Sequence, residues 1–315
     1  MSLAVPMRPF HVAARRALTE TIAEFTLTPA DGGEIATFTA GSHVTVETPS
    51  GAMRRYSLVN EGEVPDSLVI AVKREPQSRG GSASMHGEAQ PGTILNVSAP
   101  QNNFALQSAP RYLLIAGGIG ITPILAMGQH LRAIGKPFDL IYCTRSVAET
   151  AYLDAVRALG HRVTIHHDNG DPHQLYDFWD HFETPSSAQV YCCGPAPLME
   201  EIKAVSGHWP EGRVHFEDFK GIDAVRPSDQ PFRVSLHGTG QVVDVAASKS
   251  ILEALRDAGI RVASSCESGT CGTCRCRLIS GRADHRDMVL MEEEKDSQIM
   301  ICVSRAQSGD LTIAL

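Results

Sequence analysis

The sequence predicts a multidomain chain: an antiparallel β-barrel, then an α/β domain on a parallel sheet, then a small α+β domain. Three observations carry that prediction. Short, turn-punctuated apolar stretches fill the first hundred residues, strands and helices alternate from about residue 110, and four cysteines crowd the stretch CESGTCGTCRC at 266–276. At 315 residues the chain exceeds one ordinary domain.

The elements follow in order. In residues 1–103, IAEFTLTPADGGE, SHVTVETPSGAMRRYSLVN, DSLVIAVKRE and GTILNVSAP alternate apolar and polar residues or carry β-branched runs, with DGG, PSG, RGG and PG between them. That spacing predicts an antiparallel barrel. In residues 104–222, RYLLIAGG, FDLIYCTR, RVTIHH and QVYCCGP read as buried strands, while ITPILAMGQHLRAIG, AYLDAVRALG and APLMEEIKAV read as helices. Near-continuous apolar strands alternating with helices predict a doubly wound parallel sheet. The polar residues 223–231 read as a linker. In 232–315, FRVSLHGTGQVVDV predicts a hairpin, SILEALRDAG an amphipathic helix and CRCRLISG a strand, with ICVSRA and DLTIAL closing the domain.

Composition narrows the function. Hydrophobic residues at 43% and charged residues at 20% are ordinary for a globular protein. A net charge of −8 argues against a nucleic-acid partner, which requires a basic face. The most apolar run, YLLIAGGIGITPILAM at 112–127, is too short to span a bilayer, and the first residues lack a signal-peptide core. The expectation is therefore a cytoplasmic protein without membrane contact, in which clustered thiols serve metal or redox chemistry. The acidic run MEEEKD at 291–296 is either a solvated turn or a docking surface for another protein.

Cys266, Cys271 and Cys274 form C-x4-C-x2-C, and Cys302 stands alone further on. This is the plant-type spacing for a [2Fe–2S] cluster held by four thiolates. Gly269 and Gly272 supply tight turns, and the small neighbours let amide and hydroxyl donors approach the sulfurs. Structural zinc usually takes two paired hooks, which the isolated Cys302 does not provide. Cys276 falls in an expected strand and is read as a buried small hydrophobe outside the ligand set. Cys143 and Cys192 are read as core residues, and Cys193 as the start of a strand-end turn facing a ligand crevice.

AGGIGITP at 116–123 is a glycine-rich turn between strand and helix, where backbone amides can face a pyrophosphate. Alone it is a weak signal, because it lacks the G-x-G-x-x-G spacing. CTRS at 143–146 and CCGP at 192–195 would frame the rest of such a ligand. In MRRYSLVN, Tyr56 can lie on a flavin face, Ser57 can bond its edge and Arg54 can grip a phosphate. KREPQSRGGS at 73–82 adds a second basic, glycine-rich loop suited to a phosphate.

Taken in order, RRYS, AVKR with RGGS, GGIGITP, CCGP and CESGTCGTC resemble the phthalate dioxygenase reductase family. That family is a branch of the ferredoxin–NADP reductase superfamily with a plant-type, β-grasp ferredoxin domain fused at the C-terminus. The likeness spans essentially the whole chain. It implies FMN, with Arg54 and the loop Arg79, Gly80, Gly81 and Ser82 about the phosphate and Arg55 also among the cofactor-binding residues. Tyr56 and Ser57 would meet the ring, Ala71, Val72 and Lys73 its edge, and Phe219 the face that nicotinamide must reach. It implies NADH contacts at Gly117, Gly118, Gly120, Thr122, Arg145, Cys193, Gly194 and Pro195.

The activity so implied passes electrons from NADH through FMN to the [2Fe–2S] cluster and on to a Rieske-type oxygenase of phthalate type. Plant-type clusters sit at roughly −400 mV and Rieske centres between roughly −150 and +300 mV, so the last step runs downhill. No acid–base catalyst is required, and His166, His167 and Asp168 are read as structural or cofactor-edge residues. The alternatives are a vanillate demethylase reductase, a reductase for a non-Rieske hydroxylase, and a redox sensor that does not turn over.

Overall fold

The computed structural model describes residues 7–76, 80–160, 162–210, 212–219, 224–226, 228–264, 269 and 272–315. Two compact units divide the chain, one over Met7–Phe219 and one over Lys220–Leu315 together with Met1–Pro6. No helix of the described residues is long and apolar enough to cross a membrane.

The first unit opens with β1 (Met7–Ala17), β2 (Ile22–Pro29), β3 (Ser42–Glu47), β4 (Met53–Ser57) and β5 (Leu68–Lys73). Helix α1 (Gly81–Glu88) then precedes β6 (Ile94–Ser98) and β7 (Gln101–Asn102). The strands pair antiparallel in the order β4-β3-β6-β1-β2-β5, with β7 on β3. Alternate residues such as Phe25 and Leu27 on β2 and Ile70 and Val72 on β5 fill the interior with Val44, Val46 and Met85. The loop expected at 73–82 runs into the start of α1 at Gly81. Residues 81–88 are helical, and the neutral imidazole of His86 ties them to the carbonyl oxygen of Val72 at 2.8 Å.

The same unit continues through β8 (Tyr112–Gly117), α2 (Ile121–Ala133), β9 (Phe138–Thr144), α3 (Leu153–Arg157) and β10 (Val163–His167). It ends with α4 (Trp179–Phe182), β11 (Gln189–Cys193), α5 (Ala196–Val205) and β12 (Val214–Glu217). All pairs are parallel, in the order β10-β9-β8-β11-β12. The chain steps outward from β8 to β10 and then returns to the other side of β8. The crevice of an open α/β sheet therefore lies where β8 and β11 end. β12 escapes a reading by apolar runs because VHFE is short and polar. The expected helix AYLDAVRALG shrinks to Leu153–Arg157, because Tyr152 adopts φ 57 and interrupts it. One core cluster joins Ile22, Val59 and Ala71 of the antiparallel part to Leu114, Ile121 and Ile124 of the parallel part.

The second unit holds β13 (Phe232–Leu236), β14 (Val242–Val245), α6 (Ile251–Asp257), β15 (Arg275–Asp284), β16 (Gln298–Met300) and β17 (Arg305–Ala314). Its order is β14-β13-β17-β15-β16, with β13 and β17 parallel and the other pairs antiparallel. Helix α6 starts in a capping box: Glu253 N donates to Ser250 Oγ at 3.1 Å, and Ser250 N donates to Glu253 Oε2 at 2.8 Å. The stretch ICVSRA opens with a turn through residues 301–304, since Val303 and Ser304 N both donate back to Met300 O. This turn carries Cys302, which is buried in the apolar core of the unit.

The described end of the expected linker is anchored. Asp229 accepts from Arg286 at 2.6 and 2.8 Å and lies 3.3 Å from Arg305 Nε, with all three side chains almost fully buried. Arg286 also donates to Ala224 O at 2.8 Å, and Arg305 to Gln230 O at 3.2 Å. Hydrogen bonds from Arg286 hold the Asp229 carboxyl at about 2. Its folded-state value is depressed, so the stability it contributes is present at neutral pH and lost as pH falls from the ordinary 3.8 through about 2. Removing one member of a buried pair leaves uncompensated charge, so Asp229→Ala should lower the stability of this unit by about 3–5 kcal/mol in urea unfolding. Arg286→Met alone should be as damaging, and a double replacement of Asp229 and Arg286 by apolar residues less so than the sum.

Candidate functional site

The crevice is shaped by glycines that leave no room for side chains. A Cβ on Gly120 would lie 2.1 Å from Cys193 O, and one on Gly117 would lie 2.6 Å from Pro195 Cδ. A Cβ on Gly194 would meet Gly117 Cα at 3.0 Å. The turns AGGIG and CCGP therefore touch backbone to backbone. Gly118 has φ 54, which also favours glycine. The first amides of α2 emerge from this turn, in the geometry that suits a pyrophosphate.

The predicted NADH residues divide by exposure. Arg145 and Pro195 are exposed at the rim, whereas Cys193 is fully buried and Thr122 almost so. Thr122 Oγ1 donates to Ile119 O at 3.2 Å, which ties down the helix start. Burial pushes the Cys193 thiol well above its ordinary value, and the thiols of Cys143 and Cys192 up to about 12. These are neutral thiols without nucleophilic character. His167 Nδ1 lies 2.9 Å from Thr144 Oγ1, His166 Nε2 lies 2.6 Å from Gln174 O, and Asp168 Oδ1 accepts from Gly170 N at 2.7 Å. All three are engaged in local structure.

The antiparallel part brings its predicted residues to the same crevice. β5, which carries Ala71, Val72 and Lys73, lies against the Gly118–Gly120 turn. Val72 points its side chain into the barrel interior, so its backbone is what it can offer, while Lys73 is exposed and pairs with Glu75 at 3.2 Å. Arg54 packs on the start of α1: a Cβ on Gly81 would be 3.1 Å from Arg54 Nε. The guanidinium and a helix N-terminus, with Gly80 at φ 92 and Ser82 beside it, thus converge as a phosphate site would need. Arg79 lies outside the described residues. The Tyr56 hydroxyl is buried with no hydrogen-bond partner among the described residues, and burial pushes its pKa well above the ordinary phenol value. A buried orphan phenol beside a phosphate cradle fits a flavin mononucleotide. Phe219 is 42% exposed at the end of this unit.

One residue escaped the sequence reading. Glu217, at the end of β12, stands in register with Cys193 and accepts from Ser57 Oγ at 3.3 Å. Burial pushes its carboxyl up to about 7, against the opposing pull of Arg55 and the Ser57 hydroxyl. Arg55 in turn lies 3.4 Å from His43 Nδ1. A lone glutamate in FEDF carries no motif, and only the sheet order places it beside Ser57.

In the second unit, Cys274 and Cys302 are both buried, and Ile301 N donates to Cys274 O at 3.4 Å, which draws the two segments together. Cys266 and Cys271 lie outside the described residues. Gly269 and Gly272 have φ 75 and 81, a backbone shape that favours glycine at both turns of the loop. Cys276 is paired with Ile299 on β16 and packs in the apolar core with Leu278, Met300 and Ile313.

Comparison with known proteins places this geometry. The family described as "2Fe-2S iron-sulfur cluster binding domain" matches residues 234–307. The chain is 48% identical over 310 residues to the phthalate 4,5-dioxygenase oxygenase reductase subunit of Pseudomonas putida, covering 96% of this chain and 95% of the relative. It is 47% identical to the phthalate dioxygenase reductase of Burkholderia cepacia, with 96% of each chain covered. A solved structure described as "phthalate dioxygenase reductase: a modular structure for electron transfer from pyridine nucleotides to [2Fe-2S]" superposes with a TM-score of 0.86, at 45% identity over 98% of both chains.

A Gly120→Ala substitution should wedge the two turns apart. Because turn geometry rather than core packing is lost, NADH affinity should fall about tenfold or more by equilibrium titration, a loss of roughly 1.4 kcal/mol or more, while the far-ultraviolet spectrum stays that of the parent.

Proposed function

The chain belongs to the phthalate dioxygenase reductase family, and we propose that it is the reductase component of a two-component Rieske non-haem iron oxygenase of phthalate type. In this reading the protein takes electrons from NADH through FMN to a [2Fe–2S] cluster and hands them to the oxygenase. The observation that carries it is the convergence of two cofactor cradles on one crevice: the Arg54–α1 phosphate site with Tyr56, and the Gly117–Gly120 turn against Cys193–Gly194. The four thiolates of Cys266, Cys271, Cys274 and Cys302 complete the route, with Cys276 outside the set. The domains are assigned as 1–103, 104–222 and 232–315, with 223–231 between the last two, and the protein as cytoplasmic.

When bound, these groups supply the separation of one hydride's electron pair into two single-electron transfers. The chain's own residues bind and orient. Arg54 and the Arg79–Ser82 loop would hold the phosphate of FMN, Tyr56 and Ser57 its ring, and Ala71, Val72 and Lys73 its edge, while Arg55 faces Glu217 at the same cofactor site. The amides of Gly117, Gly118 and Gly120, the buried Thr122 at the start of α2, the rim residues Arg145 and Pro195, and the Cys193–Gly194 turn would hold NADH, and Phe219 would cover the ring face. Glu217 and Ser57 bring one carboxyl and one hydroxyl together at this crevice, where they would face a bound nicotinamide. An ionised carboxylate there would stabilise positive charge on that ring.

Two outcomes test the reading. The rate of flavin reduction by NADH should rise as pH passes through about 7, where the Glu217 carboxyl ionises; Glu217→Gln should be slower and lose that step in stopped-flow measurement. Cys274→Ser should abolish the iron–sulfur absorbance while NADH still bleaches the flavin, and coupled oxygenase turnover should vanish. A Cys276→Ser protein should keep its iron.

A further inference from the structure

Two long apolar side chains stand in solvent beside the cysteine loop. Met288 and Met291 are each 64% exposed, and both belong to the short segment that follows β15. Their exposure is built in. Asp287, whose side chain is fully buried, accepts at Oδ2 from Val289 N at 3.1 Å and Leu290 N at 2.8 Å, and at Oδ1 from Ser304 Oγ at 3.3 Å. Leu290 is sunk into the core between the two methionines, and Met291 N donates to Glu294 Oε2 at 3.0 Å. The backbone on both sides is thus fixed with the methionines pointing away from the core that takes Leu290.

The segment also touches the cysteine loop directly. Met288 N donates to Gly269 O at 3.0 Å, and a Cβ on Gly272 would lie 3.5 Å from Val289 Cγ1. Beyond Met291 the surface turns acidic. Residues 292–296 carry four carboxylates and one lysine. Glu292 is 87% exposed, although Lys295 pairs with it, and Glu293 and Asp296 are exposed too. Glu294 is engaged by Arg275 at 2.9 Å.

We propose that Met288 and Met291, with the acidic arc of Glu292 and Glu293, are the docking surface for the electron acceptor protein. The proposal rests on the reading of the cysteine loop as the electron exit. The acceptor it fits presents an apolar patch ringed by lysine or arginine above its own redox centre. Methionine suits a transient contact because its flexible thioether repacks against different shapes, and it is enriched at interface cores while rim charges set encounter rates. A second copy of this chain is disfavoured as occupant, since its acidic arc would face the first in any isologous contact.

The test compares the parent with a Met288→Ser/Met291→Ser double variant, both with cofactors bound. Three readouts are taken: NADH-driven reduction of flavin and cluster without acceptor, the oxygenase-coupled rate against oxygenase concentration, and sedimentation. The expected result is unchanged cluster reduction with a KM for the oxygenase raised about tenfold, the size of a modest interface hot spot. An unchanged KM overturns the proposal. So does slower cluster reduction with an unchanged KM, or a dimer of the parent that the serines dissolve. If the serine pair loses its cluster, Glu292→Gln/Glu293→Gln decides: it should lower the coupled rate and flatten its salt dependence, and an unaltered salt dependence overturns the proposal. Failure of the parent's cluster to accept electrons from NADH would instead count against the reductase reading itself.

Discussion

Between the ends of β8 and β11 there is space for backbone and nothing more. Gly120 against Cys193 O, and Gly117 against Pro195 and Gly194, set that limit, and most of the first unit is arranged around it. Because the two turns meet without side chains, the first amides of α2 open directly onto the crevice. β5 can then lie against the Gly118–Gly120 turn, which brings Ala71, Val72 and Lys73 of the barrel to the crevice of the parallel sheet. Glu217 follows from the same constraint, since β12 runs in register with β11 and ends where Ser57 reaches it. The centre of the crevice therefore exposes backbone, while side chains such as Arg145 stand exposed at its edge.

The second unit uses charge where the first uses glycine. Asp229 between Arg286 and Arg305 fastens the described part of the incoming chain to the turn after β15 and to the start of β17. Such a buried network contributes little net stability compared with apolar packing, but it tolerates few alternative arrangements. It fixes where β15 ends, and hence where Asp287 holds the methionine segment against the cysteine loop. The same domain thus carries a polar clamp at one end of that turn and an exposed apolar pair at the other.

What could be read from the sequence was whatever announces itself locally. The apolar runs of β8, β9 and β11, the C-x4-C-x2-C spacing, and the order of RRYS before GGIGITP before CCGP all depend on neighbours in the chain. Glu217 depended on sheet order, which no local pattern encodes, and β12 was too short and polar to be seen. Tyr152 broke its helix by adopting a left-handed conformation that tyrosine seldom takes. The turn at residues 301–304 had no local signal, since its apolar ICV is buried although it belongs to no strand. The anchoring of Asp229 was invisible for the same reason as Glu217: Arg286 and Arg305 lie far along the chain.

The central claim is a single route from nicotinamide through flavin to iron and sulfur. The most direct measurement is an anaerobic titration of the protein with NADH, without any acceptor, followed together by visible absorbance and low-temperature electron paramagnetic resonance. The account predicts that the signal of a reduced [2Fe–2S] cluster grows as the flavin absorbance bleaches, and that a Rieske oxygenase added afterwards discharges both. A flavin that bleaches while the cluster signal never appears would contradict it.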